Sequence, residues 1–543
     1  MRKTAFITTL LAILSITASA QDYTDAYKLS KSDYEGTART VAMGNAFTAL
    51  GGDLGAVTIN PASLAVSQYS QWTITPGISI AVNTATGSVP STPEHAYFQK
   101  NIKNTLTRFG CPNVGASFVF DMHHNRGVKN ITLGLVYNRT ASYADNVIAN
   151  GTNTQTSFMG EAAAAATGIN FNDLNAENAW ELAPWKSVVA WKSGMITNFG
   201  GFEDQYVGTS ESVQEYIENG QTKYDIHTAG MIDQSYTRLV TGHKDDFVFN
   251  LGMNISDEVY IGANFGITIL DYVYDDIFGE KAIDPKNFEL DYGDAGKTYF
   301  QNMKYKYAYT ASGTGFYGKF GIIWAPKSTG IRVGAAIKTP TLTTIHEMWQ
   351  IGGETKYTDS KFNMSAHSPQ GEFTYRLREP FNANFGLAYT FGRIGVISAD
   401  YELCDYTTMR LKDTRASIDD IFYDANQNIK QLTGLAHKFR IGAEVKPIDC
   451  LAIRAGYGLE TSGLRYFDEL DRKITPKNID HNFAFGLGYS SPRSFFMDIA
   501  AQARKYSTEY IYPYNEYIED IPSPEIINKK TLWNVYLTLG LRF

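Results

Sequence analysis

The chain has 543 residues and a net charge of -8, with 48 basic and 56 acidic side chains. No basic stripe runs along it, which excludes nucleic acid as a partner. Its three cysteines, Cys111, Cys404 and Cys450, are odd in number and widely spaced, which excludes a disulfide framework and a cysteine metal site, although one disulfide pair remains open.

The first residues have the pattern of a secretory signal peptide. Two basic residues precede an apolar run over 5–16, and small residues at 18–20 suit cleavage. The run is shorter than the roughly 20 residues that span a bilayer, so cleavage is favoured over membrane anchoring. We predict a signal peptide over 1–20, export through the Sec route, and a mature chain that begins near Gln21.

The rest of the chain excludes a bundle of membrane-spanning helices. No stretch of about 18 apolar residues follows the signal peptide, and the mean hydropathy of -0.25 is too polar for such a bundle. The 35 Tyr, 31 Phe and 47 Gly instead suit strands that have one wet face. No Pro-rich, Ser-rich or single-charge linker divides the chain, so one large unit is expected.

Residues 21–70 do not alternate like a membrane strand. They contain the segment GTARTVAMGNAFTALGGDLGAVTINPASLAV, which is rich in small residues and turn formers. Gly51 and Gly52 end any helix begun at Arg39, and Asn60-Pro61 fixes an extended turn. A periplasmic tail would be more charged and less apolar than this segment. We therefore predict an N-terminal hatch over 21–70 that plugs the lumen of a barrel.

From residue 71 onward, apolar and polar residues alternate with the period of β-strands. The last strand is the clearest, because its outward phase ends on the aromatic Phe543. Only Ser256 and Asp257 separate two of the strands, which predicts a tight hairpin. The predicted strands cover 71–83, 113–121, 130–143, 246–255, 258–272, 307–325, 331–346, 371–391, 394–411, 437–447, 450–460, 480–490, 494–508 and 531–543.

The connections between these strands alternate in length. Long connections, such as 144–245 and 273–306, alternate along the chain with short ones, such as 256–257 and 448–449. Long loops on one rim and short turns on the other are typical of outer-membrane barrels. The sequence therefore predicts an all-β fold, an antiparallel transmembrane β-barrel of about 14 strands over 71–543, in the outer membrane of a Gram-negative bacterium.

The connection at 144–245 is predicted to be a large extracellular insertion that folds as a cap. Helix signals lie in Glu161 to Thr167 and in Ser212-Val213-Gln214-Glu215, a capping-box pattern that ends at Asn219-Gly220. The short-turn rim then faces the periplasm. There Phe543 is predicted to be read by the barrel-insertion machinery.

The hatch also carries a family resemblance. Met43-Gly44-Asn45-Ala46, followed by Asn60-Pro61-Ala62 just before the first strand, resembles the hatch of the long-chain fatty acid transporter (FadL/TodX) family. The resemblance implies a monomeric barrel in which hydrophobic molecules bind near the outer loops and leave sideways through a gap at a kinked third strand, here 130–143. The insertion at 144–245 departs from the family pattern.

These observations lead to one functional hypothesis and two alternatives. We predict passive uptake of hydrophobic small molecules such as long-chain fatty acids into the outer-membrane lipid. Asn60, Pro61 and Ala62 are the predicted substrate gate, and Gly44, Asn45 and Ala46 the hatch-packing residues. A secretion-system accessory barrel that binds proteins is one alternative. A haem receptor that uses the isolated histidines His227, His243, His346 and His367 is the other.

The sequence predicts neither an enzyme nor a cofactor. No Gly-x-Ser-x-Gly elbow is present, and no catalytic or metal-ligating set can be nominated from the pattern.

Overall fold

A computed structural model of the chain describes residues 22–87, 98, 101–199, 201–218, 221–415, 420–467, 473–492, 494–518 and 521–543. The predicted signal peptide over 1–20 lies outside these residues. Among the described residues, no helix has both the length and the apolar character needed to cross a membrane.

Helices occur before the first strand and in the loops of one rim. The α-helices are α1 (Tyr23–Ser30), α2 (Ala38–Ala42), α3 (Phe158–Ala166), α4 (Phe171–Asn175), α5 (Ala179–Leu182), α6 (Trp185–Lys192) and α7 (Tyr423–Leu432). Short 3-10 helices cover Gly55–Thr58, Pro61–Val66, Pro285–Asn287, Gly293–Ala295, Ser360–Phe362 and Tyr406–Thr408.

Most of the remaining chain is strand. The strands are β1 (Gln71–Gly87), β2 (Ile102–Asp121), β3 (Val128–Ser142), β4 (Asp145–Asn153), β5 (Ile196–Asn198), β6 (Tyr206–Gly208), β7 (Glu211–Glu218), β8 (Gln221–Thr228), β9 (Ile232–Ile255), β10 (Val259–Ala282), β11 (Glu289–Asp291), β12 (Lys297–Trp324), β13 (Ile331–Lys338), β14 (Leu342–Tyr357), β15 (Met364–His367), β16 (Gly371–Arg378), β17 (Phe381–Thr390), β18 (Gly395–Asp405), β19 (Arg410–Asp413), β20 (Leu435–Ile448), β21 (Leu451–Thr461), β22 (Tyr466–Phe467), β23 (Lys473–Ile474), β24 (Ile479–Ser490), β25 (Phe495–Lys505), β26 (Glu509–Ile511) and β27 (Ile526–Arg542).

The wall is a closed antiparallel barrel of 14 strands, as the sequence predicts. Its order is β1, β2, β3 with β4, β9, β10, β12, β13 with β14, β16 with β17, β18 with β19, β20, β21, β24, β25 with β26, and β27, which pairs with β1. The predicted hairpin is confirmed, because Ser256 and Asp257 have φ angles of 56° and 57°, the left-handed values of a two-residue turn.

Side chains alternate across the wall. On β10 the outward residues Ile261, Phe265 and Ile269 are exposed, whereas the inward residues Asn264 and Thr268 are buried. Outward apolar residues are stable in contact with lipid, and inward polar residues line the lumen. The lumen therefore has polar side chains on its wall, and apolar hatch residues such as Leu54 and Leu64 pack on buried apolar wall residues between them.

Three wall strands that the sequence predicts as continuous are interrupted. The predicted strand 331–346 breaks between β13 and β14 at Thr339-Pro340, and 371–391 breaks between β16 and β17 at Glu379-Pro380. Proline has no N–H to donate to a strand ladder, which explains both of these breaks. The predicted strand 394–411 breaks at the 3-10 helix Tyr406–Thr408.

The insertion at 144–245 begins with β4 and ends within β9, and these two strands pair with each other. Between them lie α3 to α6 and two small hairpins. The helix signal in Glu161 to Thr167 corresponds to α3. The helix predicted from Ser212 to Glu215 is wrong, because these residues lie in β7 and pair with β8. The β-forming residues Val213, Tyr216 and Ile217 favour this outcome.

Candidate functional site

The hatch, which extends from α1 to the 3-10 helix Pro61–Val66, fills the lumen and rests on a band of wall glycines. At each of these positions, a Cβ atom would collide with or press tightly against the hatch. We call the band the glycine belt; its members are Gly134, Gly252, Gly262, Gly321, Gly334, Gly386, Gly442, Gly456 and Gly486. Several of them, such as Gly252 with Gly262 and Gly442 with Gly456, lie directly opposite each other on paired strands. The belt therefore lies at one level around the barrel.

Of the predicted packing residues Gly44, Asn45 and Ala46, Gly44 contacts the belt directly. The backbone of Gly44 meets that of Gly456, and Ala46 is fully buried. Gly44 and Asn45 have φ angles of 63° and 61°, a left-handed conformation that glycine and asparagine tolerate best. The Asn45 Nδ2 atom donates a hydrogen bond of 2.7 Å to the Tyr34 carbonyl within the hatch.

The predicted gate residues Asn60, Pro61 and Ala62 are fully buried against the wall. The Asn60 Nδ2 atom donates to the carbonyl oxygens of Thr48 at 2.7 Å and Ile322 at 3.2 Å. Its Oδ1 atom accepts from the Ala62 N–H at 3.0 Å. The Pro61 carbonyl accepts from Asn250 Nδ2 at 2.9 Å. The triplet is thus tied to β9 and β12, and its role as a gate stays a prediction.

The wall ladder is broken between β2 and β3. The ladder begins at Asn113 opposite Asn138 and continues to the short turn between β2 and β3. Beyond it, residues 102–112 of β2 keep their ladder only with β1, and residues 139–142 of β3 keep theirs with β9. Three strands are irregular at this level, near Pro76 of β1, Pro112 of β2 and Thr140 of β3. Two of the three irregularities occur at prolines, which cannot donate to the ladder.

Past the break, the chain turns into the lumen. Leu106 of β2 packs on Ala144, and Asp145 at the start of β4 accepts a hydrogen bond from Asn83, an inward residue of β1. Because these contacts lie on the inner face of β1 and β2, β4 lies behind β2 instead of beside it. Arg108 of β2 spans the break, donating from Nη1 to the carbonyls of Tyr143 and Gly242, each at 3.1 Å.

The hatch covers the edge of β3 that β2 leaves free. The Glu35 N–H donates to the Arg139 carbonyl at 3.1 Å, and the Asp33 N–H donates to the Thr140 carbonyl. Glu35 and Arg139 form an antiparallel bridge. Residues 33–35 therefore take the place of a strand at the break. The role of residues 33–35 was missed at the sequence level, where the gap that the resemblance implies at the third strand and Pro76 within the first predicted strand pointed only to the break.

Charged side chains hold this hatch segment. The Asp33 carboxylate pairs with Arg504 of β25. Burial is the largest single effect and disfavours the charged form of Asp33, but four surrounding cations together outweigh burial and lower the pKa of the carboxyl: Arg504, Lys438, Lys31 and Arg440. For Glu35 burial prevails over Arg139 and raises the pKa to about 7. Further along the hatch, the Arg39 Nε atom lies 3.0 Å from Glu444 Oε2 of β20.

A cavity of about 380 Å³ lies on the lipid-facing side of the wall, next to the break. It extends across β1, β2, β3 and β9, and its outward lining includes Trp72, Val114, Leu135, Phe247 and Phe249. Val114 and Leu135 lie close in sequence to the residues at which the β2–β3 ladder ends. An apolar hollow therefore opens to lipid beside the break.

On the lumen side, α1 lies in a group of aromatic residues that we call the tyrosine bowl. It consists of Tyr27 of α1 together with Tyr143, Tyr272, Tyr309, Tyr375 and Tyr406. The rings of Tyr27 and Tyr406 have centroids 4.7 Å apart, and those of Tyr143 and Tyr272 are 5.0 Å apart. Since the Tyr143 carbonyl also holds Arg108, the bowl reaches the break. The buried Tyr143 hydroxyl has no hydrogen-bond partner among the described residues.

The described residues hold no group of three or more His, Cys, Asp or Glu side chains able to bind a metal ion. The four histidines weighed as haem ligands lie on four elements: His227 on β8, His243 on β9, His346 on β14 and His367 on β15. All three cysteines are described, and each is free.

No family model and no curated protein matches the sequence. Solved structures match by fold. The crystal structure of a Pseudomonas aeruginosa FadL homologue matches with a TM-score of 0.50 and 10% identity over 95% of this chain and 99% of its own. The toluene transporter TodX of P. putida matches with a TM-score of 0.49 and 12% identity over 94% and 99%. The toluene transporter TbuX of Ralstonia pickettii has a TM-score of 0.43 and 12% identity over 95% and 100%.

The chain thus has the fold of a FadL homologue, and the predicted resemblance is confirmed at the level of fold. This fold is an outer-membrane β-barrel with a plug-like N-terminal region.

Proposed function

We propose that the protein takes up hydrophobic small molecules, such as long-chain fatty acids, and releases them sideways into the outer membrane through the break between β2 and β3. The observation that carries the proposal is the position of the break, which has the tyrosine bowl on its lumen side and an apolar cavity of about 380 Å³ on its lipid side. Hydrophobic uptake is also the function associated with the family whose hatch the sequence resembles.

The route follows the apolar surfaces. A ligand enters from the extracellular rim and exchanges water for the aromatic rings of the bowl, which favours binding by about 25 cal/mol for each Å² of apolar surface buried. It then moves past Tyr143 to the break and into the lipid-side cavity. Because the exit opens to lipid, the ligand need not cross the polar contacts that hold the hatch.

Two parts of the hatch have different roles in this proposal. Asn60, Pro61 and Ala62 gate the route by holding the fixed end of the hatch on the glycine belt. Residues 22–35 form the moving part, because the belt glycines contact only residues from Ala42 onward within the hatch. Release of the Glu35 bridge to Arg139 uncovers the β3 edge and opens the break.

A disulfide lock tests the movement. Glu35 and Arg139 are directly opposite in an antiparallel bridge, a geometry whose Cα separation of about 4.5–5.5 Å suits a disulfide. In a background without Cys111, Cys404 and Cys450, we expect the Glu35→Cys/Arg139→Cys variant to take up radiolabelled oleate no faster than cells lacking the protein. Reduction with dithiothreitol should restore uptake.

The matched control joins two wall strands away from the break. Ala443 and Ala455 are directly opposite on β20 and β21, so the Ala443→Cys/Ala455→Cys variant carries a disulfide that leaves the hatch free. Its uptake should be the same before and after reduction. If the locked Glu35 variant, with its disulfide verified by mass spectrometry, takes up oleate as fast as its reduced form, hatch movement at β3 is not part of transport.

A further inference from the structure

Four basic side chains cluster on the outer surface of the barrel, on two paired strands. Arg376 and Arg378 lie on β16, and Arg410 and Lys412 lie on β19. All four are exposed, while the residues between them, Leu377 and Leu411, are buried on the lumen side and belong to the same core as the tyrosine bowl. The four therefore form one outward patch, which we call the basic patch.

The register places like charges directly opposite each other. Arg376 pairs with Lys412, and Arg378 pairs with Arg410. Directly opposed residues have Cβ atoms about 5 Å apart, and successive outward rows are about 7 Å apart along the strand. The Cβ atoms of the four basic residues thus lie at the corners of a small rectangle. Like charges opposed in this way destabilise a strand pair unless an anion lies between them.

No protein group in the described part of the chain supplies that anion. Among the described residues, none of the four side chains makes an ion pair, a side-chain hydrogen bond or a contact over an aromatic ring. The outward acid of β16, Glu372, lies about 13 Å along the strand from Arg376. The basic patch thus has no partner in the described part of the chain and can bind an anion from outside it.

The position of the basic patch identifies the partner. Leu342 of β14 pairs with Arg378 and is 62% exposed, and Phe381 at the start of β17 is also exposed. Below them on β17, the outward residues Phe385, Leu387 and Tyr389 form the apolar band. The basic patch therefore begins where the apolar band ends, on the side away from the periplasmic turn at 391–394. This is the level of the headgroups of the outer leaflet.

We propose that the basic patch binds the phosphate of a phosphorylated lipid headgroup in the outer leaflet, with Leu342 and Phe381 in contact with its acyl chains. Arginine guanidinium groups form paired hydrogen bonds with phosphate oxygens, and three of the four residues are arginine. This site is separate from the hatch and the break. It fixes the angular position of the barrel in the lipid, and it does not depend on what the barrel transports.

Lipid retention on the purified full-length protein tests the proposal. Native mass spectrometry of protein in detergent would be recorded with bis-phosphorylated lipid A and with dephosphorylated lipid A. We expect the phosphorylated form to be retained and the dephosphorylated form to be lost. The Arg376→Gln/Arg378→Gln/Arg410→Gln/Lys412→Gln variant should retain about tenfold less phosphorylated lipid, since each basic residue contributes to the attraction. Equal retention by the variant and the native protein would overturn the proposal.

Three controls make the result specific. The Lys505→Gln/Lys529→Gln variant removes two exposed basic residues on β25 and β27 and should retain lipid like the native protein. The Arg376→Lys/Arg378→Lys/Arg410→Lys variant keeps the charge. If it loses as much lipid as the glutamine variant does, the loss comes from altered packing and the proposal is overturned. Displacement of the lipid by equimolar inorganic phosphate would show a site for free phosphate instead, and would also overturn it.

Discussion

At the scale of single residues, the distance between hatch and wall is set by glycines, which have no Cβ atom. Gly456 of β21 faces the backbone of Met43 and Gly44, so that a Cβ atom there would overlap backbone atoms. Gly458 lies one inward position further along the same strand, and a Cβ atom there would make only ordinary contacts, the nearest at 3.6 Å. A substitution at Gly456 therefore tests the close approach of the hatch, whereas the same substitution at Gly458 tests only its effect on the strand.

This difference leads to a matched pair of substitutions. Gly456→Ala must displace the hatch, because backbone cannot move aside as a flexible side chain does, and we expect it to lower the free energy of unfolding by about 1–3 kcal/mol. Gly458→Ala should change it by less than about 0.5 kcal/mol. Urea unfolding followed by tryptophan fluorescence measures both, and the rate of tryptic cleavage within the hatch should rise only for Gly456→Ala. Equal effects would show that the belt does not seat the hatch.

Sequence patterns identified many hatch residues but not their partners. Gly44, Asn45 and Asn60 stand out because of their residue types and their neighbours, and the structure places them where hatch meets wall or where the hatch folds on itself. Asp33 and Glu35 gave no signal. Their role depends on the free edge of β3, more than 100 positions away, and on Arg504 of β25. Such long-range pairing leaves no local pattern to read.

At the scale of elements, strand existence was easier to predict than strand length. Alternation predicted a strand over 246–255, whereas β9 begins at Ile232. The alternation depends on an apolar face in contact with lipid. Above the membrane, the outward residues of β9 include Asp233 and Ser235, so the ladder continues after the hydrophobic signal ends. The same reasoning applies to β10, which continues to Ala282.

The contacts of Glu211 within the cap favour a strand at 212–215, where the local sequence predicts a helix. Its carboxylate accepts from the Gly208 N–H at 2.8 Å and from the Tyr517 hydroxyl at 2.8 Å, which ties β7 to the segment that follows β26. Burial raises the pKa of Glu211 to about 7. The Glu211 side chain thus joins two segments of the cap by hydrogen bonds, and its burial disfavours the ionised form.

This environment predicts a pH-dependent cap. An acid with a raised folded pKa contributes stability that is present below its unfolded value near 4.5 and is lost as pH rises through about 7. We expect the cap to be more stable at pH 5 than at pH 8 by on the order of 1–3 kcal/mol. Hydrogen exchange of amides in α3 and β7 measures this, after correction for the intrinsic exchange rate at each pH. The Glu211→Gln variant, which cannot ionise, should show little difference between the two pH values. A pH dependence in that variant equal to the native one would assign the effect to another group.

At the scale of the whole molecule, the hatch closes a barrel that is wide enough to conduct. Barrels of about 8 strands are filled by their own side chains, whereas those of 16–18 strands leave an aqueous channel. With 14 strands, this lumen needs a plug, and the hatch contacts the wall from β3 around to β24 through the glycine belt. The strand count could be predicted from the sequence, but the completeness of the seal could not, because it depends on contacts between distant residues.

The seal predicts the electrical behaviour of the protein. In planar bilayers we expect the native chain to show no stable conductance steps, and a variant that lacks residues 22–66 to show open-pore steps. The matched control removes the cap and keeps the hatch. Since Asn153 and Ile232 are directly opposite on β4 and β9, a short Gly-rich turn can replace residues 154–231 and close the hairpin. This variant should stay closed, because the glycine belt and the hatch are intact. Steps of equal size and frequency in both variants would instead show that the hatch alone does not seal the lumen, and the prediction would be wrong.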